Sequence, residues 1–316
     1  MLLAVLIITM LTLYCFDTAF YADPKRKDDL HDVPNTPQYQ PYHAEMIKLI
    51  DELDNTKYEA VQTQSFDGLT LRGRLYLYDE HAPIEIAFNG YRTTGVHDAG
   101  GVYQIARRRG HNILIVDQRA TGISDGKVIS FGINERYDVL SWIKYINSRF
   151  NSQMKIILVG GSLGGATVLM ASDLQLPENV VGIVADSAYS SPKAIIKKVI
   201  RGMHLPADFM YVFVKFAAKL LGHFDLEATS AKKALKNCKL PVLIIHGEAD
   251  RYVPCRMADE NFQACNSPIK QLLKIPNGPH DISLLVDWDT YQNTVNDFFD
   301  KIDVLFLFLN KIESEI

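Results

Sequence analysis

Six short apolar runs restrict this chain more than any other feature. They read IEIAFN (84–89), NILIVD (112–117), KIILVG (155–160), VVGIVAD (180–186), PVLIIHG (241–247) and KQLLKIP (270–276), with helical spacing between them. Strands apolar at nearly every position must be covered on both faces, and intervening helices supply that cover in a parallel sheet. The segment 134–150 shows the helical spacing directly, with Val139, Ile143, Ile146 and Phe150 on one face. Before the first run, EAVQTQS and LTLRGRLYLY flank Asp67-Gly68, the signature of an antiparallel hairpin. With 316 residues, 47% of them apolar, the chain can bury one sizeable core. No internal repeat or low-complexity segment interrupts the pattern.

Charge and cysteine usage narrow the function classes. The formal net charge is −4 and no dense basic stripe with interleaved aromatics occurs, which excludes an electrostatic nucleic-acid binder. Cys15, Cys238, Cys255 and Cys265 contain no C-x-x-C pair, so neither a zinc site nor a disulfide framework is expected. Free buried thiols are the expected state.

The N-terminus has a different texture. MLLAVLIITMLTLYCF is uncharged, and the stretch stays mostly apolar to Ala22 around Asp17. It has neither the basic opening nor the small-x-small ending of a cleaved signal peptide. A single membrane anchor over 1–22 is the favoured reading, near the lower length limit for a span. A helix packed on the protein itself is the alternative. PKRK at 24–27 favours a cytoplasmic globular part, a weak rule beside so short an N-terminus. Residues 23–57 then read as a proline-dotted linker and one small helix, HAEMIKLIDEL. A chain starting near Lys25 is accordingly expected to be soluble and active.

About fifty residues separate the run ending at Asp186 from the one starting at Pro241, too many for a single crossover helix. Ser191-Pro192 opens one helix, and Pro206 opens another that Gly222 ends. These helices form a cap. The first places Lys193, Lys197, Lys198 and Arg201 opposite its isoleucines and reads as a solvated basic face, with anionic lipid as the sharper alternative. The second, ADFMYVFVKFAAKLL, is apolar almost all round. Phe209, Met210 and Phe213 are its candidates for lining a pocket.

Gly160-Gly161-Ser162-Leu163-Gly164 joins a strand to a helix and matches G-x-S-x-G. Glycines let strand and helix approach closely around a strained serine, whose hydroxyl then points out above the sheet. The next amide, Leu163, is placed to donate to an oxyanion. A P-loop is excluded because Gly-Lys-Ser/Thr is missing, and this is not the first strand–helix turn that a dinucleotide site uses. A serine hydroxyl needs a base, and the base needs an orienting acid. Asp250 follows the strand in PVLIIHGEADRYVP, and His280 follows the last strand in LLKIPNGPHDIS. Asp186, which also ends a strand, is the rival acid. His246 reads as packing support, and Asp117 with Arg119 as a buried pair holding the loop after a strand.

With the elbow, VDQRATGISDG, IHGEADRYVP and NGPH, the sequence resembles the α/β-hydrolase superfamily over about 58–302. It is most similar to bacterial prolyl-oligopeptidase-like and BEM46-like hydrolases. The resemblance implies an α/β-hydrolase fold: a mostly parallel central sheet, helices on both faces and a cap insertion at about 189–235 in a 58–316 domain. It implies a Ser162–Asp250–His280 triad, no cofactor and no metal. It also places a second oxyanion amide at Tyr91, after Asn89-Gly90. Ala120 and Thr121 depart from the usual glycine and histidine in a loop that is mainly structural. The implied activity is a serine hydrolase on small-molecule carboxylic esters. A peptidase or amidase on small peptides, acyl transfer to an alcohol, and a non-catalytic ligand-binding protein are the alternatives. Arg92 stands out as the one cation near the oxyanion loop that could meet a charged acyl group.

Overall fold

A computed structural model describes residues 2–22, 29–150, 152 and 154–315; the basic 24–27 run lies outside the described residues. Eight strands form one sheet: β1 (Glu59–Gln64), β2 (Thr70–Tyr76), β3 (Ile84–Phe88), β4 (Asn112–Asp117), β5 (Ile156–Gly161), β6 (Val180–Asp186), β7 (Val242–Gly247) and β8 (Lys270–Ile275). Their order is β1-β2-β4-β3-β5-β6-β7-β8. The hairpin at Asp67-Gly68 pairs β1 with β2 antiparallel, and β2 pairs antiparallel with β4. From β4 to β8 every pairing is parallel.

The apolar runs of β3 to β7 are buried on both faces, as their composition requires, while β8 at the sheet edge is only half-buried. Along β5, Ile156 and Leu158 enter one core with the helix Glu135–Arg149 and the cap. Ile157 and Val159 enter a second core with Phe298, Phe299 and Ile302 of the C-terminal helix. The helices therefore sandwich the sheet. Arg119, fully covered, finds its carboxylates in Asp138 (Nε···Oδ2 2.6 Å) and Asp67 (2.9 Å), while Asp117 accepts from the Gly95 amide at 2.7 Å. The expected pairing of Asp117 with Arg119 is thus corrected, because Asp138 reaches the guanidinium from the flanking helix.

Between β6 and β7 the chain forms the cap helices Pro192–Gly202 and Ala207–Leu220. Ser191 caps the first by accepting from the Ala194 amide, with Pro192 in the first turn. Its basic face is engaged locally, since Lys193 pairs with Glu227 at 2.9 Å and Lys197 with Asp208.

The N-terminal apolar stretch forms a helix over Leu2–Ala19. Among the described residues no helix is long and apolar enough to cross a membrane. The stretch also packs on the domain: Thr12, Cys15 and Phe20 are buried, and Leu11, Phe16 and Ala19 rest on the main core. Phe20 meets Phe131 and Phe224 edge-on at centroid distances of 5.8 and 5.3 Å. The second half of the apolar stretch is thereby used inside the protein. Nor is the stretch before Tyr58 a mere linker where it is described. Tyr39, Leu49, Ile50 and Leu53 are buried against the domain.

Candidate active site

Ser162 stands at the C-terminal end of the central strand β5, before the helix Leu163–Ala171. Its φ of 52° is in the left-handed region, and its amide donates to the Asp186 carbonyl at 2.9 Å. The turn depends on its glycines. A Cβ on Gly164 would lie 1.9 Å from the Phe88 carbonyl oxygen, and one on Gly160 would lie 2.3 Å from Gly164. That close approach holds the serine clear of the sheet.

His280 and Asp250 converge on the hydroxyl. His280 Nε2 lies 2.9 Å from Ser162 Oγ, and its Nδ1 lies 2.7 Å from Asp250 Oδ2. The other Asp250 oxygen accepts from the Tyr252 and Val253 amides, each at 2.8 Å, so the loop after β7 fixes the carboxylate. Burial alone would raise the Asp250 carboxyl, but hydrogen bonds from His246 and His280 overcome it and hold the group down at about 2. His246 is fully buried and its Nε2 serves two acceptors, the Val253 carbonyl at 2.8 Å and Asp250 at 3.2 Å. It is therefore a second clamp on the acid. Asp186 instead accepts from the Ser187 hydroxyl at 3.0 Å, and its carboxyl is raised by burial.

Two supports gave no separate signal in the sequence. The Tyr39 hydroxyl donates to the His280 carbonyl at 3.0 Å, tying the histidine loop to the N-terminal region. Asp281, half-buried, lies against the elbow, where a Cβ on Gly161 would meet its Oδ1 at 2.5 Å. Burial, and then the carboxylates of Asp98, Asp186 and Asp250, push the Asp281 carboxyl well above the usual carboxylate range.

Leu163 opens the elbow helix, where amides have no partner within the helix. The loop carrying Tyr91 crosses the serine, with the Cβ position on Gly90 only 3.6 Å from Ser162 Cβ. The Tyr91 phenol donates to the Ala19 carbonyl at 2.9 Å. Arg92 Nη2 reaches the Tyr21 carbonyl at 2.7 Å and the Thr18 carbonyl at 3.1 Å. Its Nη2 is thus engaged at the end of the N-terminal helix, where a cation is favoured, while the residue also lines the cavity over Ser162.

A cavity of about 560 Å³ opens over Ser162 and His280. Val159, Ile195, Ile196, Ile200, Met210 and Val214 give it an apolar wall, and Cys15 and Ala19 of the N-terminal helix close one side. Met210 lines the cavity as expected, whereas Phe209 and Phe213 do not. The second cap helix turns Met210, Tyr211, Val214, Ala217 and Ala218 inward, which leaves Phe209 exposed and Phe213 at the edge. Among the described residues no cluster of three or more His, Cys, Asp or Glu side chains could hold a metal ion.

Comparison with known proteins agrees with this architecture. A family model described as alpha/beta hydrolase fold matches residues 90–230. The uncharacterized Bacillus subtilis protein YqkD is 27% identical over 195 residues, which span 61% of this chain and 64% of that protein. Schizosaccharomyces pombe protein bem46 is 25% identical over 256 residues, 79% of each chain. The solved structure of the Pyrococcus furiosus esterase Pf2001 superposes with a TM-score of 0.65 at 22% identity, covering 90% of this chain and 98% of that one.

Proposed function

Because this chain has the alpha/beta hydrolase fold, which together with its esterase neighbours supports a hydrolase, we propose that it is a serine hydrolase of carboxylic esters. One observation carries the reading: a single imidazole lies within hydrogen-bond reach of both Ser162 Oγ and Asp250 Oδ2. With Nδ1–H donating to Asp250, His280 Nε2 keeps a lone pair for the serine proton. Ser162 Oγ attacks the ester carbonyl as His280 takes that proton, forming a tetrahedral intermediate. The Leu163 and Tyr91 amides receive its oxyanion. The imidazolium, steadied by the Asp250 carboxylate, protonates the departing alkoxide and leaves an acyl-serine. Water, deprotonated by His280, attacks the acyl carbon in turn, and Ser162 is released with its proton restored.

The apolar cavity wall supports an uncharged acyl group. Each methylene that stays buried adds up to about 0.8 kcal/mol of transition-state binding until the space is filled. The test is kcat/KM across p-nitrophenyl esters from acetate to palmitate, beside aminoacyl p-nitroanilides. A rise with chain length followed by a fall is expected. Anilides turned over faster than every ester would overturn the ester reading and place the chain among peptidases.

A further inference from the structure

The N-terminal helix does two things at once. Its second half walls the cavity through Tyr14, Cys15, Thr18 and Ala19, and its end is gripped by Tyr91 and Arg92 of the oxyanion loop. Its first half leaves the domain surface. Val5, Leu6, Ile7 and Ile8 are each between 47% and 57% exposed. Successive helical residues are about 100° apart, so these four look outward in nearly every direction. A protein partner seated on a surface helix covers one side of it. A helix apolar all round needs an apolar medium that surrounds it.

The neighbouring surface continues this character. The N-terminal helix packs beside the second cap helix, whose outer stripe is Phe209, Val212, Phe216 and Leu220, all exposed. Tyr14, Val199, Met203 and Leu205 are exposed and also line the cavity, so its mouth opens within this apolar face. Exposed apolar ground of this extent marks an interaction site.

We propose that this face docks on a lipid bilayer, with the first half of the N-terminal helix dipping among the acyl chains, and that the cavity draws its substrate from there. The substrate class is then a lipid-borne ester whose acyl chain passes over the Tyr14–Val199–Met203–Leu205 rim to Ser162. This rests on the serine-hydrolase reading for its chemistry, and the docking is tested apart from it.

The full chain and the Leu6→Glu/Ile7→Glu variant are compared in two assays. Both substituted side chains are exposed and lie outside the cavity lining. In flotation with phosphatidylcholine vesicles, the native chain rises with the lipid at low and high salt, and the variant is recovered there at least tenfold less. On soluble p-nitrophenyl butyrate the two are equal within twofold, which also reports an intact fold. On 4-methylumbelliferyl oleate carried in the vesicles, the variant is at least tenfold slower. A variant that floats and hydrolyses the vesicle-borne ester like the native chain overturns the proposal. So does a native chain that stays off vesicles and sediments as a dimer that the variant abolishes, since the face then belongs to a second copy. If the native chain floats but turns over neither ester, the docking stands and the hydrolase reading falls.

Discussion

Phe20→Ala tests whether the N-terminal apolar segment is part of the folded domain. Phe20 is completely buried, with the rings of Phe131 and Phe224 edge-on against it and the Ile129 amide bonded to its carbonyl. Truncating a buried phenylalanine loses its transfer energy and leaves a cavity, about 3–5 kcal/mol where the surroundings collapse little. Two of the contacting elements, the 128–131 loop and Phe224 beyond the cap, are anchored elsewhere, so little collapse is expected and about 3 kcal/mol is a fair floor. That is a large part of a typical domain's 5–15 kcal/mol. With a urea slope of about 3 kcal/mol/M, the unfolding midpoint should fall by about 1 M. The measurement is urea unfolding of the full chain in mild detergent, followed by intrinsic fluorescence. A shift below about 0.2 M would refute the reasoning, because a peripheral tether can lose a phenyl ring at no cost to the domain. A chain starting near Lys25 is correspondingly expected to lose stability and one wall of its cavity, contrary to the sequence expectation.

Asp250→Asn is expected to lower kcat by about three to four orders of magnitude, because His280 loses the carboxylate that fixes its tautomer. Asp186→Asn should cost less than tenfold in kcat, and steady-state kinetics that reverse this order would reassign the acid. Acid stability follows from the Asp250 carboxyl, held at about 2 against an ordinary 3.8. A depressed carboxyl adds stability above its unfolded value that is lost as pH falls through its folded value. Native stability should therefore drop by on the order of 2 kcal/mol more than that of Asp250→Asn between pH 4 and pH 2, as read by urea unfolding at each pH.

Much of this architecture is legible in the residues because local chemistry and global placement agree. Strands β3 to β7 announce themselves by nearly uninterrupted apolar residues, and the elbow by Gly160 and Gly164, where any Cβ would strike backbone. Asp250 and His280 are readable because each follows such a strand. The N-terminus was harder, since an apolar run looks the same whether lipid or protein covers it, and only the contacts of Cys15 and Phe20 show that its second half packs on the domain. The second cap helix is apolar on every side, so no periodicity chose Met210 over Phe209 for the cavity. Tyr39 sits in a proline-dotted stretch, yet it bonds a carbonyl 241 residues away. That Arg92 bonds the end of the N-terminal helix was not legible, because that helix end arrives from a distant part of the chain.

Covalent trapping shows whether His280 and Asp250 make Ser162 the nucleophile. The full chain is treated with a fluorophosphonate and its adduct located by intact-mass and peptide mass spectrometry. One phosphonyl group per chain is expected, on Ser162, formed at least a hundredfold more slowly in His280→Ala and absent in Ser162→Ala. An adduct on another residue, or native-like labelling of His280→Ala, would contradict that role for Ser162.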